Sequence, residues 1–117
     1  MSNINDFVIE NGVLTKYTGS DSEAVIPDGV TEIGEYAFYM HPTIEKVYMG
    51  NSVKAIGSRA FDSCKSLSNV QFSATLISIG RDAFWGCKNL TDIQLPCTLT
   101  TIGDYAFSSC DSLKEII

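Results

Sequence analysis

Apolar positions in this chain repeat on two length scales. Within short stretches they alternate with polar residues, and over the whole chain one arrangement returns every 23 residues. Ile33-Gly34 with Ala37-Phe38 is followed by Ile56-Gly57 with Ala60-Phe61, Ile79-Gly80 with Ala83-Phe84, and Ile102-Gly103 with Ala106-Phe107. A fixed period of this size marks a solenoid, a propeller or an array, in which no unit can bury its apolar face alone.

The third unit shows the elements that the pattern predicts. Leu76-Ile77-Ser78-Ile79 reads as a short strand with Leu76 and Ile79 inward. Gly80 recurs as Gly34, Gly57 and Gly103, which implies either positive φ or close backbone approach between stacked units. Asp82-Ala83-Phe84-Trp85 suits one helical or 3₁₀ turn with Phe84 inward. Leu90, Ile93 and Leu95 then alternate as a strand with one buried face does. The units run over residues 30–52, 53–75 and 76–98, with a shortened fourth over 99–117. Stacked in parallel, like residues lie about 4.8 Å apart. Phe38, Phe61, Phe84 and Phe107 then form an aromatic ladder, and Ile33, Ile56, Ile79 and Ile102 an aliphatic one.

The first segment departs from the repeat. Phe7–Glu10 and Val13–Tyr17 flank Asn11-Gly12, a dipeptide that favours a two-residue hairpin turn with positive φ at both positions. Residues 4–23 read as a cap over the first unit, since a solenoid end otherwise exposes strand edges and core. Ala24–Gly29 falls into register with later strands, so 4–29 comprises a capping hairpin and the first strand.

Composition narrows the picture. At 117 residues, 44% of them hydrophobic, the chain is one domain, 1–117, with a core. A net charge of −6 with eight scattered Lys and Arg argues against nucleic acid. No apolar run is long enough to span a membrane. The N-terminus lacks the basic start and apolar core of a secretory signal, which points to the cytoplasm or to a fragment of a longer chain.

The pattern Ile-Gly-x-x-Ala-Phe-x-x-Cys-x-x-Leu-x-x-Ile-x-Leu-Pro resembles the BspA-like class of leucine-rich repeats. So does the entry Asn11-Gly12-Val13-Leu14-Thr15-Lys16-Tyr17 leading into Val25-Ile26-Pro27-Asp28-Gly29-Val30. The resemblance spans roughly residues 7–117. It implies an α/β repeat solenoid, a right-handed leucine-rich-repeat superhelix with short parallel strands, short helical turns and an N-terminal hairpin cap. It also implies a bacterial or protozoan cell-surface protein engaged in adhesion and protein binding. The family has no catalytic motif to carry over, so no enzyme activity and no cofactor are expected.

Chemistry-bearing residues are few. Cys64, Cys87 and Cys110 share one register position, with His41 in the first unit. A column along the axis spreads its ligands in a line, whereas zinc requires four converging ones, so buried thiols are expected and no metal. Cys97 lies off the column in Pro96-Cys97-Thr98. His41, the sole histidine, has no nucleophile and orienting acid beside it to make a triad. No phosphate-cradling glycine spacing occurs.

A surface is the better candidate. Outward positions of the second strand form two columns, Tyr48, Gln71 and Gln94 beside Lys46, Asn69, Asp92 and Glu115. Solenoids present such faces as extended binding surfaces, and amides with an aromatic ring suit a protein or a surface glycan. Tyr36, Tyr39, Trp85 and Tyr105 fall near the turns, with Trp85 in the column of Tyr39, Asp62 and Ser108. The C-terminal stretch offers an open edge over Leu113, Ile116 and Ile117, a candidate for pairing of two copies. The leading expectation is a non-catalytic interaction or adhesion module using the sheet face. The alternative is a structural spacer or end-domain of a larger repeat protein.

Overall fold

The computed structural model describes residues 3–116, the side chains of Glu115 and Ile116 excepted. A 3₁₀ turn at Ile4–Asp6, capped by Asn3, leads into β1 (Phe7–Glu10) and β2 (Val13–Tyr17). These two pair antiparallel around Asn11 and Gly12, both at positive φ (52° and 79°), as the type I′ hairpin turn requires. The remaining strands are short: β3 (Glu23–Val25), β4 (Glu32–Ile33), β5 (Lys46–Tyr48), β6 (Ala55–Ile56), β7 (Asn69–Gln71), β8 (Ser78–Ile79), β9 (Asp92–Ile93), β10 (Thr101–Ile102) and β11 (Glu115–Ile116).

They lie on two sides of a β-solenoid. One sheet has the order β1-β2-β4-β6-β8-β10, parallel from β2 onward, with Ile33, Ile56, Ile79 and Ile102 in register. The other side carries β3-β5-β7 and, as a separate pair, β9-β11. The cap is thus part of the stack: Leu14 of β2 pairs with Ile33 and is fully buried. Tyr17 stacks on Phe38 at 4.9 Å and so takes the place of a phenylalanine.

The core is built of columns. Ring centroids along Phe38, Phe61, Phe84 and Phe107 are 4.7, 5.0 and 5.3 Å apart, with planes within 14° of parallel. That spacing follows from the strand separation of about 4.8 Å, which leaves each ring face covered by the next. Phe38, Phe61 and Phe84 are fully buried, whereas Ile102 on the last coil is 47% exposed.

Between the two sheets the expected helical turns do not form. Each coil instead runs through consecutive β-turns closed by Ala83 N–H to Gly80 O, Trp85 N–H to Asp82 O and Cys87 N–H to Phe84 O (3.1–3.3 Å). The intervening amides point along the axis: Asp82, Phe84 and Gly86 donate to Asp104, Ala106 and Ser108 of the next coil at 2.8–3.0 Å. Alternate amides thus close turns within the coil while those between them join it to the next. The arc requires left-handed backbone at two positions per coil, occupied by Tyr36, Arg59, Asp82 and Tyr105, and by Met40, Ser63, Gly86 and Ser109 (φ 56–71°). Only Gly86 is a glycine, so the conformation left no composition signal.

The glycine column works by the other of its two expected mechanisms. Gly34, Gly57, Gly80 and Gly103 are absent from the positive-φ residues. A Cβ on Gly80 would sit 2.7 Å from Ser58 N and 2.8 Å from Gly57 C. Coils approach too closely there for any side chain.

Phe84→Ala is expected to cost about 3–5 kcal/mol by urea denaturation, as a buried ring is lost from mid-stack. Phe107→Ala, at the half-buried end of the column, will cost clearly less, and equal losses would dismiss the stacked core. Gly80→Ala is expected to cost about 3 kcal/mol because backbone must move. Gly86→Ala, whose nearest neighbour would be Ser63 Oγ at 3.7 Å, meets only the left-handed backbone cost of about 1–2 kcal/mol.

Candidate functional site

Alternation within β5, β7 and β9 sends Val47, Val70 and Ile93 into the core and their neighbours outward. Lys46 pairs with Asn69 and Tyr48 with Gln71, so the two expected columns exist on this face. They begin one rung earlier than the sequence suggested, since Glu23 pairs with Lys46 and Val25 with Tyr48. Asp92 pairs with Glu115. Lys46, Asn69, Gln71, Asp92 and Gln94 are exposed, and Tyr48 is half-buried.

The face is not continuous. Thr91 N–H reaches Ser68 O at 3.4 Å, but no ladder joins β7 to β9. At this division lies a cleft of about 470 Å³ lined by Asn69, Val70, Gln71, Phe72, Asp92 and Gln94. The structure therefore gathers Asn69, Gln71, Asp92 and Gln94 around one opening and leaves Lys46 and Tyr48 beside it on β5. Planar amides with one carboxylate supply donors and acceptors in fixed directions, while Val70 and Phe72 give the cleft an apolar lining.

The thiol column is structural in its bonding. Cys64 Sγ donates to Phe38 O (2.9 Å), Cys87 to Phe61 O (3.1 Å) and Cys110 to Phe84 O (3.0 Å), each one coil back. Burial pushes the Cys64 thiol from its ordinary 9.0 up to about 12. Cys87 is raised too, by burial and then by the thiols on either side, and Cys110, half-buried, by burial. In the first coil His41 performs the same linking task. Its Nδ1 accepts from Ile44 N–H (3.1 Å), which leaves Nε2–H to donate to Gly19 O (2.7 Å). Among the described residues no three His, Cys, Asp or Glu side chains converge as metal ligands. Cys97 is exposed.

A second cleft, of about 240 Å³, opens on the turn arc and is lined by Tyr39, Arg59, Asp62, Ser63, Asp82 and Trp85. Only part of it was legible in the sequence. The column Tyr39–Asp62–Trp85 follows from the 23-residue step, but nothing in the sequence revealed that left-handed turns bring Arg59 and Asp82 alongside. Arg59 spans the two carboxylates, 3.6 Å from Asp62 and 3.3 Å from Asp82, and Ser63 Oγ donates to Asp62 at 2.7 Å. The C-terminal edge presents Leu113, half-buried. Of the other two residues expected there, Ile116 lies in β11 with its side chain not described, and Ile117 falls outside the described residues.

Stacked coils joined edge to edge, with polar columns outside and like apolar residues in register inside, define a leucine-rich-repeat β-solenoid. The chain belongs to the BspA type leucine-rich repeat family, which matches residues 2–117 in six copies. Among solved structures it resembles a leucine-rich repeat protein from Bacteroides capillosus ATCC 29799, 29% identical with TM-score 0.80, over 95% of this chain and 96% of that one. It also resembles the T. pallidum leucine-rich repeat protein, 26% identical with TM-score 0.75, over 98% and 70%. A third likeness is a leucine-rich cell surface protein of Faecalibacterium prausnitzii A2-165, 32% identical with TM-score 0.62, over 89% of this chain and 34% of that one. No curated protein matches the chain.

The thiols make stability depend on alkaline pH. A thiol held protonated in the fold loses nothing below pH 9, where both states keep the proton. Above that the unfolded chain ionises first, so stability falls as pH rises from 9 towards about 12, by up to about 1.4 kcal/mol per pH unit for the buried Cys64. Urea midpoints between pH 8 and 11 are expected to drop less steeply in Cys64→Ala than in wild type. Parallel curves would show that the thiol is not held neutral.

Proposed function

We propose that this chain is a non-catalytic interaction module that binds a protein partner through the sheet face of β5, β7 and β9, as an adhesion-type repeat protein does. The observation that carries the proposal is the cleft between β7 and β9, where Asn69, Gln71, Asp92 and Gln94 surround an apolar lining at a break in an otherwise laced sheet. The amides and the carboxylate around the opening offer directed donors and acceptors to a partner's side chains. Family membership supports an interaction role, and the likeness to a cell surface protein supports placement at a surface. Tyr48, next to the opening, supplies the kind of aromatic that anchors interfaces.

The test compares wild type with the triple variant Tyr48→Ala, Gln71→Ala, Gln94→Ala, both verified as folded by circular dichroism. A partner captured by wild type, identified and purified, is expected to bind the variant at least about tenfold more weakly by calorimetry. Equal affinity for both proteins, or no partner from the source cell or its host, would leave the face a solvated surface and favour a spacer.

A further inference from the structure

We infer that the cleft on the turn arc is a second, separate binding site, for a neutral glycan, with one pyranose ring held between Tyr39 and Trp85 above Asp62 and Asp82. The inference does not depend on the sheet-face proposal, since the two sites share no residue.

The column geometry makes the cleft. Tyr39, Asp62 and Trp85 occupy one register position on successive coils, so the two aromatic side chains are carried two coil spacings apart, about 9–10 Å. The rung between them is short and polar. Both rings stand well out of the core, Tyr39 at 45% and Trp85 at 41% exposed. Tyr39 is braced edge-on by Tyr36 at 5.1 Å. The volume of about 240 Å³ falls below the range of about 300–1,000 Å³ usual for drug-sized ligands, so the space suits one small ring with its chain leaving outward.

The floor selects the chemistry. The Asp62 and Asp82 side chains are only 7% and 10% exposed, and neither position requires a carboxylate for folding. The Asp62 column elsewhere holds Tyr39, Trp85 and Ser108, and the Asp82 column holds Tyr36, Arg59 and Tyr105. Arg59 bridges both acids, and Arg81 lies 3.5 Å from Asp82 with its guanidinium 5.5 Å over Tyr105. Arg59 within the lining and Arg81 just outside it set two cations against the two anions of the floor, so both carboxylates are already ion-paired. An apolar ligand would strip water from the three charged groups that line the cleft and return nothing. A sugar ring meets both demands. Its hydroxyls donate to the carboxylates and accept from Arg59 and Ser63, and its C–H faces lie against the two aromatic rings. The ion pairs hold the floor in place before ligand arrives, which lowers the ordering cost of binding.

Trp85 is the only tryptophan in the chain, so its emission reports on this cleft alone. The probes are the methyl glycosides of galactose, glucose, mannose and fucose, and N-acetylglucosamine, with N-acetylneuraminic acid and tetramethylammonium as charged controls. At least one neutral sugar is expected to shift the emission saturably, with Kd of about 1 mM. Saturation-transfer NMR should show that sugar weakened at least about tenfold by Trp85→Ala and by Asp62→Asn, both with wild-type circular dichroism, and unchanged by Gln71→Ala. The inference is overturned if no neutral sugar responds up to about 20 mM, if only a charged control binds, or if binding survives Trp85→Ala.

Discussion

Everything in this molecule depends on the distance between one coil and the next. Parallel strands fix that distance on both sheet sides, and the amides of the turn arc fix it between them. Once it is set near the thickness of an aromatic ring, phenylalanines at one register position must stack face to face, and the glycine column must stay bare so that backbones can meet. The thiol and hydroxyl columns obey the same rule. Cys87 reaches the carbonyl of Phe61, and Thr98 that of Leu76, one coil back. A side chain at any such position is therefore constrained by its counterparts above and below more than by its sequence neighbours.

This explains what could be read from the sequence. The period, the ladders and the Asn11-Gly12 hairpin were legible because each rests on residue types that recur at a fixed step. Both outward columns of the second strand were legible for the same reason. The turn arc was not. Asp82-Ala83-Phe84-Trp85 has the composition of a helical turn, and left-handed backbone at Tyr36, Arg59 and Tyr105 is imposed by the bonds between coils, not by those residues. The division between β7 and β9 was equally hidden, since Asp92-Ile93-Gln94 reads as Asn69-Val70-Gln71 does.

The two outer faces differ in kind. On the sheet side, columns of amides are interrupted by a cleft that reaches the core residue Val70. On the turn side, exposed aromatics flank a pocket of ion-paired side chains in which Arg59, Ser63 and Asp82 sit at left-handed backbone positions. Repetition supplies a uniform frame, and departures from it create the local chemistry: an aspartate where neighbouring coils carry rings, a missing ladder where others are laced. The N-terminal end shows the same economy, with Tyr17 of the cap acting as a phenylalanine rung and His41 of the first coil as a cysteine.

The turn arc also gives the molecule a direction. The backbone bonds of its left-handed turns run one way, from N–H on one coil to C=O on the next, beginning with Tyr17 to Ala37 and repeating through Phe38, Phe61 and Phe84. Each coil therefore shows carbonyls to the coil before it and amides to the coil after it, like the two sides of a press-stud. A coil that follows the last one must offer oxygens in that register. Two identical ends brought together by a twofold axis would set donors against donors, so along this arc the array can be extended only head to tail.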